Sequence, residues 1–271
     1  MASVPTRVAG RISTGLKKFQ PILASAKARD LGEADTVTII KDLLHEVFGY
    51  DKYGEITSEH AIRSTFCDLA VQIDGQLAML IEVKAIGLDL KDNHVKQAVD
   101  YAANKGCDWV LLSNGIIWRV YKVVFAKPID AELVIELNLL ELNARSDSHI
   151  EMCWLLAKEG WQKARLGEYH TQRQALSRFS IAAVVLSDPV LDATRRELRR
   201  LSPDVKLSTE EIAAVLRDEV LKREVLSGDK ADAARRMVSR AAKKALRSAA
   251  SKTTGQITDA AVEATVAAEG S

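Results

Sequence analysis

The chain has 271 residues, and its 38 Lys and Arg against 37 Asp and Glu leave a formal charge of +1, which excludes a molecule that works through a global cationic field. A 47% apolar fraction with 28% charged residues excludes wholesale disorder, and the apolar run Ile181 to Leu186 is far short of the roughly 18 residues a membrane span needs. The opening MASVPTRVAGRISTGLKKF lacks the apolar core of a secretory signal, and Cys67, Cys107 and Cys153 are scattered and odd in number, so a cytoplasmic protein with buried free thiols is expected.

Residues 1–31 read only as a basic segment. From Gly32 to about Val124, helix-period and strand-period stretches alternate. Val37, Ile40, Leu43, Leu44 and Val47 have the spacing of a one-sided helix over Glu33 to Val47, closed by Gly49. Ile56 to Ile62, Phe66 to Ile73 and Gln76 to Ala85 read as three short strands, followed by a helix from about Asp92 to Asn104. Trp109 to Leu112 and Ile117 to Val124 are two further strands separated by the turn signal Ser113-Asn114-Gly115. This predicts an α/β domain over residues 32–145, a mixed twisted sheet of about five strands flanked by helices.

Past residue 148 every apolar pattern is helical, so an all-helical C-terminal region is expected over 146–252, with a frayed tail over 253–271. Ile150, Trp154, Ala157, Trp161 and Ala164 fall on one stripe, which reads as a packing seam. Ser208-Thr209-Glu210-Glu211 has capping-box spacing and predicts a helix from Thr209 to about Leu226. No aromatic residue follows Phe179, so the last third must fold with Ala, Leu, Val and Ile alone. Such thin stripes predict packing on the α/β domain or on a second copy, most simply as a two-fold homodimer. Ala233 to Lys252 holds Arg235, Arg236, Arg240, Lys243, Lys244, Arg247 and Lys252 and no acid. That stretch is either a solvated helix face or a surface that tracks phosphates without reading sequence.

The stretch FCDLAVQIDGQLAMLIEVK, residues 66 to 84, carries the chemistry. Leu69, Val71 and Ile73 share one parity, and so do Leu77, Met79, Ile81 and Val83. A two-residue loop at Asp74-Gly75 would pair Ile73 with Gln76 and send the two apolar rows to opposite sides of the ribbon. A turn through Ile73-Asp74 with Gly75 as a left-handed bulge residue pairs Gln72 with Gln76 and puts both rows on one side. Burial selects the second register. It places Leu80 across from Asp68 and Glu82 one diagonal step away, with Lys84 on the same face. Converging carboxylates repel, so the arrangement is a neutralised pair, a salt bridge with Lys84, or a site for a hard metal such as Mg²⁺ or Mn²⁺.

These residues resemble the PD-(D/E)xK nuclease superfamily, with Asp68 as the first acid and Glu82-Val83-Lys84 as the E-x-K. The pattern is more closely similar to the N-terminal nuclease domain of type I restriction enzyme R subunits, whose helix carries a glutamine and a tyrosine four apart, as Gln97 and Tyr101 are here. Glu33 looks like that family's acid on the first helix, Glu59 like an acid on its first strand, and Ser113-Asn114-Gly115 with Trp118 and Tyr121 like its closing strand pair. The resemblance covers about residues 33 to 122. Cys67 stands where the superfamily often has proline, and the chain contains no G-x-x-x-x-G-K-[ST] phosphate loop for an ATP-driven motor. His94 shares the helix face of Gln97 and Tyr101 but reads as a surface histidine.

The resemblance implies a restriction-endonuclease-like fold and a metal-dependent endonuclease acting on DNA in prokaryotic restriction or defence. It implies that Asp68, Glu82 and the carbonyl of Val83 hold Mg²⁺, or Mn²⁺ in its place. Lys84 would orient and activate water, and Gln97 and Tyr101 would position the strand or the catalytic groups. A separate subunit would supply specificity. Two other classes fit the sequence: a nuclease fold that binds DNA without turnover, and an oligomeric interaction protein whose helical third is the working part.

Overall fold

The computed structural model describes residues 3–62 and 65–245, with side chains described outside residues 59–66. These residues fall into two compact units that divide between His170 and Thr171. Unit one begins with helix α1 (Thr6–Ala28) and helix α2 (Glu33–Glu46). Strands β1 (Ile56–Ile62), β2 (Thr65–Ile73) and β3 (Gln76–Val83) follow, then helix α3 (Asn93–Lys105) and strands β4 (Trp109–Ser113), β5 (Ile117–Val124) and β6 (Asp130–Asn138). The sheet runs in sequence order from β1 to β6, and β3 and β4 are its one parallel pair among the described strands. Because α3 is the crossover between those two strands, it lies on one sheet face while α1 and α2 cover the other.

The mixed α/β fold expected from the sequence is present, with three corrections. The sheet has six strands rather than five: β6 follows β5, and its Val134, Ile135 and Leu137 are buried. The basic opening segment is a helix whose Val8, Ile12, Leu16, Phe19 and Leu23 enter the main core. Gly15 lets this helix approach closely, since a Cβ there would fall 2.7 Å from Val47 Cγ2. Arg11 ties the helix down further, donating to both carboxylate oxygens of Glu159 at 2.6 Å and to the carbonyls of Val47 and Phe48.

The third correction is the stripe from Ile150 to Ala164, which is two helices, α4 (Asp147–Leu156) and α5 (Lys158–Gln162). The chain is extended at Ala157, where the Lys158 amide donates to the Phe48 carbonyl instead of continuing the first helix. Both tryptophans pack, as expected of a seam. Trp154 is buried under the Arg165 guanidinium, and Trp161 meets Trp109 edge-on. Cys67, Cys107 and Cys153 are free and buried, and burial pushes the thiols of Cys67 and Cys153 up to about 12, which leaves them inert.

Helix α6 (Arg165–Ala175) leads into unit two, whose regular elements among the described residues are all helices. It holds α7 (Arg178–Val185), α8 (Asp188–Leu201), α9 (Thr209–Val215) and α10 over residues 229–245. Ser208 and Glu211 make the expected capping box, but the helix they start does not reach Leu226. It loosens into a π turn at Leu216–Val220, and the chain turns extended at Leu221, which brings Val225 into the interior. Arg247 and Lys252 of the basic stretch lie outside the described residues. Among the described residues no helix is long and apolar enough to cross a membrane.

Candidate active site

The site begins with the hairpin between β2 and β3. Asp74 (φ 50°) and Gly75 (φ 74°) form a two-residue loop, and Ile73 pairs with Gln76. This is the register that burial parity disfavoured. The parity is rescued three residues later, where Gln72 pairs with Leu77 but Val71 pairs with Met79, leaving Ala78 as an extra residue on β3. Leu77 therefore packs toward α3, while Met79, Ile81 and Val83 join Leu69 and Val71 in the main core. The bulge lies within β3 and not at Gly75. It moves Asp68 opposite Glu82, rather than opposite Leu80.

The ladder of β2 and β3 has its last pair at Leu69 and Ile81, and beyond it the strands part as a fork. Asp68 enters the fork and accepts a hydrogen bond from the Val83 amide at 2.6 Å, taking the place of a main-chain partner. The strand geometry sends the Val83 carbonyl to the same edge as its amide. On the other edge of β3, the Lys84 amide donates to the Ser113 carbonyl of β4 at 2.9 Å. The E-x-K segment is thus gripped from both sides.

The Lys84 ammonium donates to Glu82 Oε1 at 2.7 Å and lies 3.5 Å from Glu33 Oε2. The side chains of Glu82 and Lys84 retain only 13% and 19% of their exposure, against 50% for Glu33 at the start of α2. Burial pushes the Glu82 carboxyl above the usual carboxylate range; the charges of Asp68 and Glu33 add to the rise, and Lys84 opposes it. Burial works to lower the Lys84 pKa, yet its bond to Glu82 and the charges of Glu82, Glu33 and Asp68 prevail and raise it. Lys84 is therefore a firmly held cation.

The two carboxylates and a main-chain carbonyl are the hard oxygen donors that Mg²⁺ or Mn²⁺ prefers. Glu82 Oε2 takes no hydrogen bond among the described residues, so an acceptor remains at the fork. Among the described residues no group of three or more His, Cys, Asp or Glu side chains is disposed to hold a metal. The donor set fits a site completed by a carbonyl, with Glu33 engaged on Lys84.

The structure brings Asp68, Glu82, Lys84 and Glu33 together. Tyr101 is buried on α3, against the cluster formed by Cys67, Leu80 and Leu112. Gln97, one turn earlier, is exposed and makes no hydrogen bond to the acids or Lys84; the two line a shallow surface groove with Asn93, Lys96, Asp100 and Asn104. His94 accepts a 3.3 Å hydrogen bond from the Lys91 amide at the start of α3. Glu59 lies on β1, and its side chain is outside the described residues.

Asn114 is a supporting residue that sequence reasoning took only as part of a turn. It is buried, accepts from the Ile116 and Ile117 amides, and donates to the Leu88 carbonyl at 3.0 Å. Arg119 likewise donates to the Leu90 carbonyl at 2.8 Å. Together they fasten the connection between Lys84 and α3.

Residues 38–135 match the family of type I restriction enzyme R protein N terminus (HSDR_N). The R-protein match runs from within α2 to within β6 and contains Asp68, Glu82, Lys84, Gln97 and Tyr101; Glu33 lies just before it. Neither curated proteins nor solved structures gave a match to the chain.

Proposed function

We propose that the fork at Asp68, Glu82 and Lys84 is the centre of a metal-dependent endonuclease that hydrolyses DNA phosphodiester bonds in restriction or defence. The observation that carries this reading is the convergence of two carboxylates and a half-buried lysine ammonium where β2 and β3 separate, within a segment similar to the N terminus of restriction enzyme R proteins. Mg²⁺ or Mn²⁺ held by Asp68, Glu82 and the Val83 carbonyl would polarise the phosphate and acidify a water.

Lys84 is protonated at neutral pH, so its part is to donate a hydrogen bond that orients the attacking water and to offset negative charge growing on the phosphate. Glu82 fixes the ammonium at short range, and Glu33 attracts it from the side open to solvent. Gln97 and Tyr101 on α3 would position the bound strand. The protein is further proposed to act in the cytoplasm as a homodimer on DNA, with a separate subunit supplying specificity.

Incubation of the full chain with supercoiled plasmid and with single-stranded DNA, with and without Mg²⁺ or Mn²⁺, tests the reading. Metal-dependent nicking or linearisation is expected, and it should vanish with EDTA. A protein that binds DNA but never cuts under either metal would be the catalytically silent alternative.

A further inference from the structure

The cationic charge of the chain is unevenly divided. Residues 1–170 carry twenty Lys and Arg against twenty-three Asp and Glu, whereas residues 171–271 carry eighteen against fourteen. Within unit two the excess is organised on two helices. On α10, Ala231 and Ala234 are buried while Arg236, Arg240, Lys243 and Lys244 are exposed and make no ion pair or hydrogen bond among the described residues. At about 100° per residue these four share one side of the helix.

Helix α8 repeats the design with arginine alone. Its sequence DPVLDATRRELRRL packs Leu191 and Leu198 against Ile212 and Leu216, which turns Arg196, Arg199 and Arg200 outward. Arg195 is tied to Asp192 at 2.8 Å and Arg200 to Glu197 at 2.9 Å. Arg196 and Arg199 are exposed and have no such partner among the described residues. The helix dipole accounts for a cation in the last turn, as at Arg199, but Arg196 lies a turn earlier. Nor does a dipole require arginine at all four positions. The guanidinium fork is the group that matches phosphate geometry.

We infer that α8 is a backbone-binding surface of unit two, engaging the phosphodiester chain of DNA through Arg196 and Arg199, in addition to the phosphate-tracking role proposed for the cations of α10. The inference rests on the nucleic-acid reading of the fork but not on cutting. Binding of this kind is made to phosphates and carries no sequence information.

Fluorescence anisotropy of the full chain on a mixed-sequence DNA duplex and on the RNA duplex of the same sequence, in EDTA across a salt series, tests it. Arg196→Gln combined with Arg199→Gln should weaken binding several-fold on every sequence and lower the salt slope by about 1.8, at roughly 0.9 for each phosphate no longer neutralised. Replacing the same pair with Glu should weaken it further, and circular dichroism should show an unchanged helical fold because both positions are exposed. The DNA duplex is expected to bind more tightly and to show the reduced slope; a slope reduced on the RNA duplex alone would overturn DNA as the occupant. Unchanged affinity and slope in both variants would overturn it. A chain that binds through α8 yet never cuts would remove only the catalytic reading, whereas one that cuts but ignores both substitutions would remove only this inference.

Discussion

Glu82 and Lys84 tie the proposed chemistry to stability. Because the Glu82 pKa is raised, the folded state holds its proton at pH values where the unfolded chain has lost it, so its contribution to stability falls as pH rises through that window. Lys84 offsets this by pairing. Lys84→Met leaves Glu82 buried without its cation, and at neutral pH the variant should lose about 2–4 kcal/mol. Acidification into the raised range of Glu82 should shrink that loss as the carboxyl takes up a proton. Urea unfolding of both proteins at neutral and acidic pH checks it; an equal loss at both would mean that Glu82 is not the group left unpaired.

Asp68 makes the complementary case. Asp68→Asn can still accept from the Val83 amide, so the fork should keep its shape while metal affinity falls by at least tenfold, as titration calorimetry with Mn²⁺ would show. Lys84→Ala should spare Mn²⁺ affinity more than Asp68→Ala does. The shared face of Asp68, Glu82 and Lys84 was legible in strand parity, while the roles proposed for them come from the family resemblance. The 2.6 Å bond from the Val83 amide to Asp68 was not legible, since it depends on where the ladder stops.

At the scale of elements, the hairpin shows why a correct face can come from an incorrect register. Parity demanded one slip between Ile73 and Met79, but it could not say whether Gly75 or a residue inside β3 would supply it. The chain uses a tight Asp74-Gly75 turn, whose twist suits the strands, and places the slip at Ala78, a residue small enough to bulge. Gly75→Ala would meet no atom within 4 Å, so only its positive φ is at stake. It should cost about 1–2 kcal/mol, read as a lower thermal midpoint. Deleting Ala78 should be far worse, because it turns Met79, Ile81 and Val83 out of the core.

The two elements that sequence reading missed failed for different reasons. Residues 8, 12, 16, 19 and 23 carry a helical stripe, but the basic and small residues between them give the segment the composition of a leader as well as that of a core helix. The β6 strand, DAELVIELN, mixes exposed charge with three buried residues and shows no clean alternation. Its pairing with β5 decides its form.

For the whole molecule, the aromatic-poor third predicts assembly. Light scattering should report roughly twice the chain mass, and a monomer would remove the homodimer proposal. The six-strand sheet and the start of α2 bring four expected residues together at the fork: Asp68, Glu82, Lys84 and Glu33. On α3, Gln97 is exposed while Tyr101 is buried in the cluster that holds Cys67 and Leu80, because a four-residue spacing fixes a shared helix face but not what that face meets. The most direct test of the central claim is the initial rate of supercoiled plasmid loss in Mg²⁺ or Mn²⁺ for the wild-type chain beside Lys84→Ala, at matched folded fractions. The wild type should cut and the variant should lose at least a hundredfold in rate. Equal rates, or no cutting by the wild type under either metal, would contradict the fork as a nuclease centre.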